Sequence, residues 1–108
     1  MATGSELNMT LKAAEALAAE GKKTSCVSLV CWELFDQQSA EYKESVLPAA
    51  VTARIGVEAG SSFGWDKYVG PAGKMVSVDR FGASAPGPKL YEEFGFTEEN
   101  ILAVAKTL

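Results

Sequence analysis

Apolar positions along the chain switch between a helical and an extended spacing, which divides the sequence into alternating elements. Residues 5–20 are predicted to form a helix, because apolar side chains recur there every three or four positions. The predicted apolar stripe consists of Leu7, Leu11, Ala14, Leu17 and Ala18. Thr3 and Glu6 have the spacing of a capping box, and Gly21 stands where a C-terminal cap glycine is expected.

Short runs rich in β-branched residues predict strands farther along the chain. The predicted strands cover residues 25–31, 51–58 and 75–81, and two further helices cover residues 40–47 and 98–106, the last capped by Thr97. Residues 32–38 are interpreted as a connection, residues 82–88 as an ordered loop and residues 89–94 as a short helical turn. Because strands alternate with segments long enough for a crossover, we expect an α/β fold whose mostly parallel sheet is covered on both faces.

Length and composition indicate a single globular domain and argue against several kinds of partner. The chain has 108 residues, 47% of them apolar and 22% charged, and a net charge of −4. This predicts one globular domain over residues 1–108. The basic residues are scattered, so we expect no nucleic-acid partner. No apolar run approaches the roughly 20 residues of a transmembrane helix, and no polybasic stretch suggests a membrane surface. The expectation is a soluble intracellular protein.

The lack of histidine narrows the possible chemistry. Ser-His-Asp and Cys-His nucleophile systems need a histidine base, and most catalytic zinc sites use histidine ligands. Cys26 and Cys31 are five positions apart, which would turn their side chains to opposite faces of a strand. We therefore predict two buried, reduced thiols without a redox or zinc-binding role.

A loop after the second predicted strand is the candidate ligand site. It is formed by Glu58, Gly60, Ser61, Ser62 and Gly64. Proteins of the α/β class bind ligands at the ends of strands, where Glu58 could act as a base or bind a cation. Asp79 holds a comparable place near the end of the third predicted strand. Arg54, Lys67 and Arg80 could contact an anion there. The alternative is that the glycines only let the chain turn, and that the arginines form surface ion pairs.

Aromatic residues stand at the breaks between the predicted elements. They are Trp32, Phe63, Trp65, Phe81, Tyr91, Phe94 and Phe96. Side chains at such positions usually fill the gaps between helices and a sheet. The alternative is that one or two of them contact a protein partner.

Six strings spread along the chain form a specific series. They are ATGSEL at 2–7, ELFDQQ at 33–38, YKESVLP at 42–48, VEAG at 57–60, FGASAP at 81–86 and LYEEFGFT at 90–97. In order and spacing they resemble the C-terminal domain of the transketolase family, and their details are most similar to plant-type members. The resemblance covers essentially the whole chain.

The resemblance implies a three-layer α/β/α fold with a mostly parallel sheet. It implies a parent enzyme that transfers two-carbon ketol units between sugar phosphates, in the pentose phosphate pathway or the Calvin cycle. That enzyme is a homodimer that uses thiamine diphosphate and a divalent metal such as Mg²⁺ or Ca²⁺, bound in the two preceding domains. By the same resemblance, this chain has no catalytic, cofactor-binding or metal-binding residue of its own. Its partners are the remainder of the transketolase chain and the dimer mate.

The role that the resemblance implies for this chain is structural, dimer-supporting or regulatory, in the chloroplast stroma or the cytoplasm. One departure matters, because Met1 stands where the family has an apolar interior strand, and an antiparallel edge strand before it is missing as well. The resemblance thus implies a domain truncated at its N-terminal side, with about three strands and fewer ladder hydrogen bonds. Two other functions remain open: an independent module that binds a small anion or nucleotide, and a protein-interaction module.

Overall fold

Helices flank a short parallel ladder in the part of the protein that the structure describes. The computed structural model describes residues 1–77, 92–93 and 95–108. Helices cover Glu6–Ala19 (α1), Trp32–Asp36 (α2), Ala40–Val46 (α3), Asp66–Val69 (α4) and Glu98–Ala105 (α5). Strands cover Ile55–Glu58 (β1) and Lys74–Ser77 (β2). The predicted loop at 82–88, most of the predicted turn at 89–94, and Asp79, Arg80, Phe81, Tyr91 and Phe94 lie outside the described residues.

The start of the chain occupies an interior place in the ladder. Strands β1 and β2 pair in parallel, with Val57 opposite Val76. Ala2 forms parallel bridges to Val57 on one side and to Ser28 on the other. Its carbonyl accepts a hydrogen bond from the N–H of Leu29 at 2.9 Å. The ladder therefore runs in the order Ser28, Ala2, β1, β2.

The backbone of Met1 forms hydrogen bonds with the first residues of β1. The Met1 carbonyl accepts from the N–H of Val57 at 2.9 Å, and its terminal amino group donates to the carbonyl of Ile55 at 2.8 Å. The second predicted strand, residues 51–58, is regular only from Ile55 onward. Its regular pairing with β2 begins at Ile55, which lies opposite Lys74.

The first predicted strand is also shorter than expected, and the third is described only in part. Residues 25–31 contribute a single bridge at Ser28, because the neighbouring segment pairs with them at Ala2 only. Residues 75–81 begin their strand at Lys74, and the part of this prediction beyond β2 lies outside the described residues.

Packed layers cover both faces of the ladder. On one face, α1 and α5 enclose a buried cluster made of Ala2, Ala13, Val57, Val76, Phe96 and Ile101. On the other face, α2 and α4 pack around Met1, Leu29, Trp65, Tyr68 and Val69. Met1 and Ala2 belong to different clusters, as the alternation of side chains along an extended segment requires. The predicted three-layer α/β/α fold with a reduced parallel sheet is confirmed.

Helix α1 ends in the predicted glycine cap. Gly21 has a φ of 86°, and its N–H donates to the carbonyl of Ala18 at 2.9 Å. The N–H of Lys22 donates to the carbonyl of Leu17 at 3.1 Å. These two bonds form a Schellman motif, which satisfies carbonyls that have no partner within the helix.

The predicted capping box at the other end of α1 is wrong. The N-cap residue is Ser5, and its side chain makes no capping hydrogen bond. The hydroxyl of Thr3 instead donates to the carboxylate of Glu58 at 2.7 Å. Thr3 directly follows Ala2 in the segment beside β1. Its side chain therefore contacts Glu58 at the end of β1 and not the first turn of α1.

The buried stripe of α1 differs from the predicted one. The buried positions are Glu6, Thr10, Ala13 and Leu17, while Leu11 is 45% exposed. The small side chain of Ala13 lies in the same cluster as Ala2, which lets the helix approach the ladder closely. The Thr10 hydroxyl donates to the carbonyl of Glu6 at 2.7 Å, so this buried hydroxyl has a partner.

Helix α2 replaces the connection predicted over residues 32–38. Its first residue, Trp32, meets the ring of Trp65 edge-on and the ring of Tyr68 at a tilt, each with a centroid distance of 5.2 Å. Aromatic contacts of this kind stabilise a segment whose five residues are too few to show a helical period.

The remaining predicted helices are confirmed. Helix α3 begins after Ser39, whose hydroxyl oxygen accepts the N–H of Tyr42 at 3.1 Å. Helix α5 begins after Thr97, whose hydroxyl oxygen accepts the N–H of Asn100 at 3.2 Å.

The prediction of buried thiols is wrong, since Cys26 and Cys31 are both only half-buried, although neither is in a disulfide. They lie in the outermost segment of the ladder and at the start of α2, where helices cover them only in part.

Arg54 joins three parts of the second layer through backbone carbonyls. Its Nε donates to Val51 at 2.8 Å and its Nη1 to Tyr68 at 2.7 Å. Its Nη2 donates to Leu47 at 3.2 Å and to Pro48 at 2.8 Å. The guanidinium thus connects the end of α3, the segment before β1 and helix α4.

We predict that Arg54→Met lowers the free energy of unfolding by about 3 kcal/mol, because the carbonyls lose charge-assisted partners in a half-buried site. Arg54→Lys should recover only part of this loss, since an ammonium cannot reproduce the fork of the guanidinium. Urea unfolding of the two variants measures both effects. Lys12→Met, on the exposed side of α1, is the matched control and should be close to neutral. If Arg54→Lys had the same free energy of unfolding as the original chain, the role assigned to the guanidinium geometry would be contradicted.

The buried amino group of Met1 predicts a pH dependence for the 108-residue chain. Burial lowers the pKa of this amino group below its ordinary range, against a smaller opposing effect of the Cys26 thiol. The unfolded chain therefore binds more protons than the folded chain as pH approaches about 8 from below. Stability should rise with pH through this window and level off above the pKa of the unfolded amine.

Thermal unfolding between pH 6 and pH 8 measures this effect without interference from histidine, which the sequence lacks. N-acetylation removes the titrating group but keeps an N–H that can donate to Ile55. The acetylated chain should lose the rise in Tm across this range. An unchanged rise would mean that another group causes it.

Candidate functional site

The candidate ligand loop leaves the carboxyl end of β1 and leads into α4. Both carboxylate oxygens of Glu58 accept hydrogen bonds here. Oε1 accepts the N–H of Gly60 at 3.0 Å, and Oε2 accepts the hydroxyl of Thr3 at 2.7 Å. The carboxylate thus connects the turn after β1 to the neighbouring line of the ladder.

The two serines lie in the turn that starts α4. The Oγ of Ser61 accepts the N–H of Phe63 at 3.1 Å. The carbonyl of Ser62 accepts the N–H of Trp65 at 3.0 Å. Hydroxyl and carbonyl acceptors at these spacings form local turns of the kind that lead into a helix.

The two glycines of the loop differ in what the fold demands of them. Gly64 has a φ of 84°, and a Cβ at this position would lie 2.9 Å from the Trp32 ring. A side chain at Gly64 would therefore be strained and would also displace Trp32. At Gly60 a Cβ would meet Glu58 at 3.5 Å, which is an ordinary contact. Of these two loop glycines, Gly64 is the one that the packing of the second layer requires.

Two of the three cations proposed as anion contacts, Arg54 and Lys67, are bonded elsewhere, and Arg80 lies outside the described residues. Arg54 donates to four backbone carbonyls, as described above. The Lys67 ammonium lies 2.6 Å from the carboxylate of Asp36, which also accepts the Tyr68 hydroxyl at 2.9 Å. The bond to Lys67 lowers the pKa of Asp36, and the same bond raises the pKa of Lys67. This arrangement does not favour the alternative of a small-anion or nucleotide-binding module.

Metal donors do not gather in the part of the chain that the structure describes. No group of three or more His, Cys, Asp or Glu side chains in residues 1–77, 92–93 and 95–108 could hold a metal ion. A ligand role for Glu58, Gly60, Ser61, Ser62 and Gly64 stays a prediction. Their described bonds are those of a turn that positions α4.

The aromatic residues divide into buried and exposed ones. Trp65 is fully buried, and within the described residues its indole Nε1 has no hydrogen-bond partner. Phe96 is also buried, whereas Phe63 is 89% exposed. Val30 and Leu34, at 79% and 59% exposed, are further large apolar side chains at the surface. Sequence periodicity missed these two, because both belong to segments that it assigned to a strand and a connection.

The helices of the described residues are short. None of those helices combines the length and the apolar character that crossing a membrane requires.

Comparison with known proteins gives consistent matches over the whole chain. Residues 1–97 match the profile of the family described as "Transketolase-like TK C-terminal domain". The chain is 62% identical over 104 residues to chloroplastic transketolase of Solanum tuberosum, an alignment that covers 96% of this chain and 14% of the relative. It is 62% identical over 106 residues to transketolase of a Nostoc species, with 98% and 16% covered.

Solved transketolase structures share this fold. The transketolase of Leishmania mexicana superposes with a TM-score of 0.86 at 43% identity, and that of Pichia stipitis with a TM-score of 0.88 at 40% identity. Each match covers 98% of this chain, but only 16% and 15% of the longer chains. The chain thus spans less than a fifth of the length of these relatives, and it belongs to the transketolase-like C-terminal domain family.

Proposed function

We propose that this chain serves as the non-catalytic C-terminal domain of a transketolase that transfers two-carbon ketol units between sugar phosphates. One observation carries the proposal: the match covers 98% of this chain yet only 15–16% of enzymes named transketolase. A segment of that size contributes one domain to a much larger enzyme.

The chemistry of the proposed enzyme belongs to its other parts. Thiamine diphosphate and Mg²⁺ or Ca²⁺ would supply it there, and three features of this chain support that division. The sequence has no histidine. The described residues offer no cluster of three metal donors. The Glu58 carboxylate is engaged by Thr3 and Gly60.

The proposed partners are the remainder of a transketolase chain and the dimer mate of that chain. The greater length of the relatives supports the first partner. Large apolar side chains exposed at Val30, Leu34 and Phe63 support a role as a contact surface within a larger assembly. These features support the proposal of a structural, dimer-supporting role.

For the compartment, we propose the chloroplast stroma. Relatives from Solanum tuberosum and Zea mays, each 62% identical to this chain, carry the name chloroplastic transketolase. The cyanobacterial relative from Nostoc, at the same identity, fits a photosynthetic setting as well.

Segment exchange tests the proposed role. In the Solanum tuberosum enzyme, the region aligned with this chain is replaced by residues 1–108. We expect a dimeric enzyme whose kcat/KM for ketol transfer from xylulose 5-phosphate lies within about threefold of the parent, which is less than 1 kcal/mol. The isolated 108-residue chain, given thiamine diphosphate, Mg²⁺ and the same substrates, should show no turnover.

The parent enzyme and a version without the exchanged region serve as controls. Turnover by the isolated chain would overturn the non-catalytic assignment. A folded exchange enzyme that fails to dimerise or to transfer ketol units would overturn the domain assignment. Loss of dimerisation and loss of ketol transfer are distinguishable, because sedimentation measures assembly and the activity assay measures transfer.

A further inference from the structure

Three aromatic rings meet between α2 and α4, and we call them the aromatic trio. The centroid of the Trp32 ring lies 5.2 Å from that of Trp65 and 5.2 Å from that of Tyr68. The centroids of Trp65 and Tyr68 are 6.2 Å apart. Among aromatic side chains, indole and phenol rings lose one electron most readily. Each member of the trio therefore has two oxidisable neighbours in ring contact.

Tyr68 and Trp65 differ in whether a proton can leave them. The Tyr68 hydroxyl donates to Oδ1 of Asp36 at 2.9 Å, whereas within the described residues the Trp65 Nε1 has no hydrogen-bond partner. Trp65 is also fully buried, so its oxidised ring would have to keep a positive charge among apolar side chains, which burial disfavours. The Tyr68 phenol can instead pass its proton to the carboxylate as it loses an electron.

Lys67 keeps the proton acceptor in place and disfavours a charged phenol ring. Its ammonium lies 2.6 Å from Oδ2 of Asp36 and 5.0 Å from the centroid of the Tyr68 ring. The hydrogen bond from Lys67 lowers the pKa of Asp36, so the acceptor is an ionised carboxylate at neutral pH. A cation this close to the ring repels a positive charge on it, and oxidation of Tyr68 therefore requires loss of its proton.

We propose that the aromatic trio is a radical relay, in which a one-electron oxidation that enters at Trp32 moves to Tyr68 and is held there as a neutral phenoxyl radical. Trp32 is the half-buried member of the trio, whereas Trp65 and Tyr68 are buried. It is therefore the ring that a diffusible oxidant of the azide or carbonate radical class reaches first. The relay needs no group from the rest of a transketolase, and it goes beyond the proposed function.

The electrons and protons of the relay balance. The oxidant takes one electron from Trp32 and becomes its anion, which leaves the indole as a radical cation. One electron then passes from the Tyr68 ring to Trp32, the O–H bond of Tyr68 breaks, and the proton joins Oδ1 of Asp36. The products are a neutral indole, a neutral phenoxyl radical and a protonated carboxyl. A small reductant of the ascorbate class returns the electron, and Asp36 returns the proton.

Pulse radiolysis with the azide radical tests the relay, because this oxidant attacks indoles faster than phenols at neutral pH. Tyr42 and Tyr91 are first replaced by phenylalanine, so that Tyr68 is the one tyrosine left of the three in the sequence. We expect the indole radical band to decay and the phenoxyl band to grow with one rate constant. This rate constant should not depend on protein concentration, and it should be smaller in D₂O than in H₂O.

Asp36→Asn in the same single-tyrosine chain tests the proton acceptor. The amide still accepts a hydrogen bond from Tyr68 but is no base, and a positioned base typically contributes well over tenfold, so phenoxyl growth should slow by at least about tenfold. Glu41→Gln, which removes an exposed carboxylate from α3, is the matched control and should leave the rate unchanged. In urea, where the fold no longer joins Asp36 to Tyr68, the Asp36→Asn chain and its parent should have equal rates.

Two results would overturn the relay. One is phenoxyl growth whose rate rises with protein concentration, because electron transfer would then occur between molecules. The other is growth in Asp36→Asn as fast as in its parent, with near-UV circular dichroism showing that both are folded. If Asp36→Asn fails to fold, the comparison of H₂O with D₂O in the parent decides, and equal rates there would exclude a coupled proton transfer. None of these measurements depends on ketol transfer.

Discussion

The pairing of Met1 and Ala2 with the backbone on both sides is the constraint on which the rest of the described fold depends, Ala2 bonding to Val27 and Leu29 and Met1 bonding to Ile55 and Val57. Ala2 is fully buried and bridges Ser28 and Val57, which belong to different halves of the chain. Its methyl group lies in the cluster under α1 and α5, while the adjacent Met1 lies in the cluster under α2 and α4. One short extended segment therefore connects both halves of the ladder and contributes to both layers.

The second layer depends on polar contacts as much as on apolar ones. Its helices are short, and α2 and α4 have five and four residues. Such helices leave many carbonyls without intrahelical partners. The Arg54 guanidinium satisfies carbonyls at the end of α3 and in α4, and the Asp36 carboxylate joins α2 to Lys67 and Tyr68 of α4. Charged groups thus connect elements that are too short to be stable by themselves.

Sequence reasoning identified those features that depend on neighbouring residues. The glycine cap at Gly21 and the hydroxyl cap at Thr97 are local signals, and helices α1, α3 and α5 lie where the pattern predicted them. The lengths of the first two predicted strands were overestimated because a strand ends where its partner does, and that partner is distant in sequence. Helix α2 was missed because the rings that stabilise Trp32 belong to residues more than thirty positions away.

The same distinction applies to the candidate loop. Its place after β1 was predicted correctly from the strand pattern. The bond from Thr3 to Glu58 joins residues 55 positions apart, and no local spacing indicates it. The Arg54 contacts could not be predicted either, because the acceptors are backbone carbonyls, which every residue has. Patterns of side chains reveal which residues are polar, but the fold alone decides which carbonyl lies within reach.

The interior position of Met1 and Ala2 in the ladder also has a consequence for the order of folding. These residues are the first of the chain, yet the Ile55 carbonyl that Met1 contacts is 54 positions later. Closing so long a loop costs entropy before the contact contributes any stability, whereas α1 can form from local contacts as soon as its residues are available. We therefore expect the centre of the ladder to assemble late. Until it does, the strand edges on both sides of Ala2 remain open to pairing with another chain.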